Sequence, residues 1–82
     1  MVTTVDVRIV PFQEKDSGGV LLDFNKIIAE IQIDGAVVWT KSVETDDTIE
    51  SVCNVRADLC WEAISHATSH FDYVPDEEEI AA

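Results

Sequence analysis

The apolar residues of this 82-residue chain change their period once, just after Glu44, and that change restricts the fold more than any other feature. Before it, apolar side chains alternate two residues apart, as in half-buried strands; after it they recur at helical spacing. Val5, Val7 and Ile9 alternate with Asp6 and Arg8, which predicts a strand over 5–9 that Pro11 is expected to cut short. The polar segment from Gln13 to Gly19 is the expected loop of a first hairpin.

The next apolar run, Val20 to Gly35, changes phase within itself. Val20, Leu22 and Phe24 are even-numbered, whereas Ile27, Ala29, Ile31 and Ile33 are odd. One extra residue near Asn25 and Lys26 would bring both sets to one face, so a β-bulge or bend is expected there. Asp34-Gly35 marks a second hairpin. A two-residue loop would pair Ile33 with Ala36 and place Trp39 on the face of Glu30; a three-residue loop would pair Ile33 with Val37 and set Trp39 opposite Ile31. The longer loop gives the cleaner apolar face of Ile27, Ala29, Ile31, Ile33, Val37, Trp39 and Val43, with Trp39 in the core, and is preferred.

Asp47 is the expected cap of the helix that follows, with Glu50 three residues on. Ile49, Val52, Cys53, Leu59, Cys60, Ala63, Ile64, Ala67 and Phe71 fall in one stripe. The order is therefore β-β-β-α, an α+β fold in which a three-stranded antiparallel sheet packs against one long C-terminal helix. Residues 1–74 form a single compact domain, and 75–82, after Pro75, an acidic C-terminal tail. A helix from Thr48 to Phe71 would be about 36 Å long against about 23 Å for a seven-residue strand, so it should bend or overhang the sheet.

Several function classes are excluded by what the chain lacks. Lys and Arg occur only at Arg8, Lys15, Lys26, Lys41 and Arg56, against 17 acidic residues and a net charge of -12, so there is no basic patch for nucleic acid or for an anionic membrane surface. No apolar stretch is long enough to span a bilayer and no export signal is visible, which places the chain in a cytoplasm, that of the host if the source is viral. Cys53 and Cys60 sit seven residues apart on one helix, about 10 Å between Cα atoms. They are expected to be free, buried thiols acting as small hydrophobes, without the basic surroundings that activate a nucleophile. With no glycine-rich phosphate loop either, the chain is expected not to be an enzyme and to need no cofactor.

Glu62, His66 and His70 lie along one edge of the helix at i, i+4 and i+8 and form the one candidate metal set, but a fourth ligand or second shell is missing, so no metal site is assigned. Arg56 interrupts the apolar stripe, and its stem is expected to pack on the core with its head in solvent or on a carboxylate. Trp61 lies well off the stripe, either flanking the core or serving as a binding anchor.

The acids are unevenly distributed. Residues 1–43 contain six carboxylates and four basic residues, a charge of -2; residues 44–82 contain eleven and one, a charge of -10. Asp46 and Asp47 crowd the start of the helix; Glu50, Asp58 and Glu62 point away from its apolar stripe; Asp76, Glu77, Glu78 and Glu79 follow Pro75. Together with Trp61 these are the candidate protein-binding residues. Carboxylates on successive helix turns, about 6 Å apart, can stand in for phosphates on a basic groove. In size and acidity the chain resembles the small phage-encoded inhibitors of host nucleic-acid enzymes, the anti-CRISPR, anti-restriction and DNA-mimic proteins. That resemblance is one of composition and transfers no residue role. It implies a partner with a basic nucleic-acid-binding surface. The alternatives are a small assembly subunit that homodimerises through a sheet edge or the helix, and a metal-binding protein.

Overall fold

The computed structural model describes residues 2–73. The tail calls at Asp76, Glu77, Glu78 and Glu79, and the domain boundary at 74/75, lie outside them. Three strands, β1 (Thr3–Lys15), β2 (Leu21–Ile33) and β3 (Ala36–Asp46), form an antiparallel sheet in the order β1-β2-β3, and one helix, α1 (Ile49–His70), lies on one of its faces. This is the α+β, β-β-β-α fold expected from the change of period.

Pro11 does not stop β1, which continues to Lys15 with Pro11 opposite Asn25. The even-numbered residues of β1 are the ones bonded to β2: the Asp34 N–H donates to the Val2 carbonyl and the Asp16 N–H to the Val20 carbonyl. An odd-numbered proline on this outer strand therefore lacks an N–H only where it would point away from the sheet, the one place a strand tolerates it. The first loop is correspondingly shorter than expected, closed over 16–20 by the Asp16 carboxylate, which accepts from the Gly18 and Val20 N–H groups.

The pairing of β1 with β2 runs without interruption from Thr3 opposite Ile33 to Lys15 opposite Leu21, so the bulge expected at Asn25–Lys26 is absent. The irregularity lies at the other end, between Ile31 and Gln32, where β3 carries one extra residue. It reconciles the two hairpin alternatives. The loop is the two-residue one: Asp34 and Gly35 both adopt left-handed backbone (φ 51° and 86°) and Ile33 pairs with Ala36. The bulge then returns Trp39 to Ile31, the partner expected from the longer loop, and leaves Val37 exposed instead of in the core.

The core is thin. Ile27, Ala29 and Ile31 from β2 meet Leu59, Ala63 and Ala67 from α1, with Val5, Val7, Trp39, Val43, Val52, Val55 and Phe71 packed around them; Ile64 is buried as well. Alanines at 29, 63 and 67 let the helix sit close to the sheet, and Ile27 and Ile31 supply the bulk. The predicted stripe is wrong at its start: Ile49 is 82% exposed and Cys53 is exposed, while Val55, not in the stripe, packs on the core. Arg56 is exposed as well.

The overhang is also the reverse of the expected one. Strands of 13 residues span about 43 Å and a 22-residue helix about 33 Å, so it is the β1–β2 hairpin that projects past the helix. The helix begins at the level of Asn25, whose amide donates to the Asp47 carboxylate at 2.9 Å, and ends beside Thr3, whose hydroxyl donates to the Phe71 carbonyl at 3.3 Å. Beyond Asn25 no described residue forms a layer on either side of the hairpin. We call this part, residues 11–15 and 21–25, the arm.

Candidate functional site

The residues singled out by charge gather at the start of α1 and along its outward side. Thr48, not Asp47, caps the helix: its backbone is extended and its hydroxyl oxygen accepts from the Ser51 N–H at 3.3 Å. Asp46 backs the cap, accepting from the Thr48 hydroxyl at 2.7 Å and from the Thr48 N–H at 3.2 Å. The Thr48 hydroxyl above all, then the Thr48 N–H and the Ser51 side chain, hold the Asp46 carboxyl below its ordinary value of 3.8. Asp47 is occupied by Asn25. Both acids thus build the β3–α1 junction, and neither is the cap expected.

Along the helix, Glu62 reaches down to β3 and accepts from the Lys41 ammonium through both oxygens, at 2.8 and 2.9 Å. Each side chain is about half exposed, so the pair contributes little to stability. Glu50 and Asp58 are exposed and have no hydrogen-bond or ion-pair partner among the described residues. Trp61 is 57% exposed and stands on the same outward side, three residues beyond Asp58. It is not among the side chains packed on the core.

The Glu62, His66 and His70 set is not brought together. Glu62 is held by Lys41, while the His66 ring stacks on Trp39 (centroids 5.3 Å apart) and lies against His70 (4.5 Å) and Phe71 (5.7 Å). Among the described residues no group of three or more His, Cys, Asp or Glu side chains is arranged to hold a metal ion. No described helix is long and apolar enough to cross a membrane.

Two features escaped the sequence reading. Glu30, on the face of the sheet opposite the helix, is 9% exposed because Arg8 lies over it, donating at 2.7 Å, with Gln32 donating at 3.3 Å. On the same face Phe12 and Phe24 stack with ring centroids 5.6 Å apart. A shallow depression of about 440 Å³ beside the start of α1 is lined by Pro11, Phe12, Gln13, Asp23, Phe24 and Asp47. The register Phe12 opposite Phe24 would have revealed the stack, but only with the first strand extended through Pro11. Comparison with protein-family models, with curated proteins and with solved structures found no match to this chain.

Proposed function

We propose that this is a non-enzymatic protein-binding domain that lays the outer side of α1 on a basic surface of a nucleic-acid-binding protein and blocks it. The observation that carries this reading is Trp61, more than half exposed and set among Glu50 and Asp58, carboxylates with nothing to neutralise them among the described residues. A large aromatic in the middle of an interface is a frequent energetic anchor, while surrounding charges steer the encounter and exclude wrong partners. Glu50 and Asp58 are eight residues apart, about 12 Å along the helix, a span a basic groove can bridge; Glu62, about 6 Å further, is already paired with Lys41. Displacing counterions from a basic groove then supplies the driving force that nucleic acid itself would use. Asp46 and Asp47, tied into the helix start, add to the field more than to contact, and Asp76, Glu77, Glu78 and Glu79, outside the described residues, add four carboxylates to the charge of this half of the chain.

The test is affinity capture from lysate of the source organism, and of its host if the source is viral, with salt-gradient elution, identification by mass spectrometry, and competition by short duplex DNA. Capture of a basic nucleic-acid-binding protein that elutes at moderate salt, is displaced by the duplex, and is weakened at least tenfold by Trp61→Ala and by Asp58→Lys is the expected result. Partners that ignore both the duplex and these substitutions would overturn it.

A further inference from the structure

His66 and His70 stay together where Glu62 drops out of the set. One turn apart at the end of α1, their rings lie with centroids 4.5 Å apart and planes tilted by 42°. No hydrogen bond or ion pair engages either imidazole among the described residues. The two rings are held differently. His66 is half-buried, stacked on Trp39 at 5.3 Å and set against Phe71 at 5.7 Å, and Trp39 is fixed in turn by its pairing with Ile31 in the central strand. His70 is exposed on the last turn and has room to turn about its own side-chain bonds. A ring locked by packing beside one that adjusts is a preorganised ligand with a second that can close on the same ion.

The ring spacing discriminates between coordination geometries. A metal ion about 2.0 Å from an imidazole nitrogen lies about 3.2 Å from the ring centre. Two imidazoles at a right angle about the ion then have centroids about 4.5 Å apart, whereas at the tetrahedral angle the separation is about 5.2 Å. The observed 4.5 Å is the right-angle value, which belongs to tetragonal copper(II) or nickel(II) and not to tetrahedral zinc.

We propose that His66 and His70 together bind one copper(II) ion, with water in its remaining positions. Copper(II) stands above nickel(II) and zinc(II) in affinity for nitrogen ligands, and the net charge of -12 gathers divalent cations around the chain. Charge alone fixes no ion in place; the imidazole pair does. Glu62 takes no part, because both its oxygens accept from Lys41. With two ligands from the protein the site is open and its ion exchangeable, unlike the closed four-ligand sites that hold a fold together, so loading it leaves the fold unchanged.

The test uses the full chain carrying Trp61→Phe, which leaves Trp39 as the one tryptophan, and Cys53→Ser, which removes the exposed thiol that copper(II) would oxidise. Freed of metal with EDTA, it is titrated with copper(II) chloride while tryptophan emission is followed, since copper(II) quenches an indole close to it and Trp39 touches His66. The expected result is quenching that saturates at one equivalent, is reversed by EDTA, needs at least tenfold more copper in His70→Ala, and is unchanged in Glu62→Gln, with the circular dichroism of each variant unaltered. Zinc(II) should displace the copper only in large excess. Quenching that fails to saturate below about 1 mM, or that is indifferent to His70→Ala, means ions held loosely by the acidic surface and overturns the proposal. Displacement by an equal concentration of zinc(II) overturns the assignment of the metal. None of these readouts involves a partner protein, so this proposal and the preceding one can fail separately.

Discussion

Ile31 and Ile49 are the same residue type, both fall on apolar positions of the sequence, and the structure assigns them opposite energetic weight. Ile31 is fully buried in the central strand between Val5 and Trp39, beneath the helix alanines, whereas Ile49 opens α1 at 82% exposure. Ile31→Ala removes three carbon groups, about 2.4 kcal/mol of transfer free energy at about 0.8 each. The cavity left in a core this small adds to that, for a total of about 3–4 kcal/mol. A chain of this length has a total stability of about 4–12 kcal/mol. A core of seven buried hydrophobic residues among the described ones, three of them alanine, argues for the lower part of that range. Ile31→Ala should therefore lower the melting temperature by about 15–25 °C or leave the chain unfolded at room temperature. Ile49→Ala should change stability by no more than about 0.5 kcal/mol, with a favourable sign, because alanine is the better helix former. Urea titrations followed by circular dichroism, at one fixed protein concentration, measure both. A loss below about 1 kcal/mol at Ile31, or equal losses at the two sites, would refute the packing argument.

The helix start and the thiols give further tests. Thr48→Ala should cost about 0.5–2 kcal/mol in urea unfolding, since the Ser51 N–H loses its acceptor and the Asp46 carboxylate its closest donor. Because the Asp46 carboxyl is held below 3.8, its contribution is complete above that pH and is lost as pH falls through the lowered value. The difference in urea midpoint between the wild-type chain and Asp46→Asn should thus be constant near neutrality and shrink below about pH 4; a difference that grows in acid would contradict the assigned hydrogen bonds. Comparing the two chains cancels the general relief of self-repulsion as the other carboxylates protonate. Ellman's reagent on the native chain should modify Cys53 well before the partly buried Cys60, and equal rates would contradict the helix orientation.

The fold class was legible because each element announces its own period, and the second hairpin because Asp34-Gly35 suits left-handed backbone at both positions. What misled was the change of phase in β2. Read as a local irregularity, it called for an extra residue at Asn25–Lys26; in the structure the backbone is regular there, and the phase changes because the helix covers only part of the strand. Periodicity reports which side of a strand is covered, and that can alter along its length without any change in the backbone. A related cause explains Ile49, which keeps the helical spacing of the stripe at the very start of the helix, beyond the core; Cys53, between Val52 and Val55, which both pack on the core, instead faces away from the sheet. Trp61 was placed off the stripe correctly, but only the packing of Trp39 with His66 leaves Trp61 as the exposed one of the two tryptophans. The roles of Asp46, Asp47 and Glu62 depended on partners distant in sequence or on the choice between neighbouring caps, and spacing alone does not supply these.

Pro11 has a consequence for the chain at high concentration. A sheet grows into a fibre only if each added copy offers a fresh strand edge complementary to the one just used. On the β1 side the outward row of backbone donors is broken at Pro11, between Ile9 and Gln13, so a long incoming strand finds a missing bond midway; the β3 side has no proline. Addition through β3 therefore consumes the permissive edge of both copies and leaves only interrupted ones exposed. Strand pairing through β3 would therefore close after one step, with Pro11 standing in the way of open-ended growth.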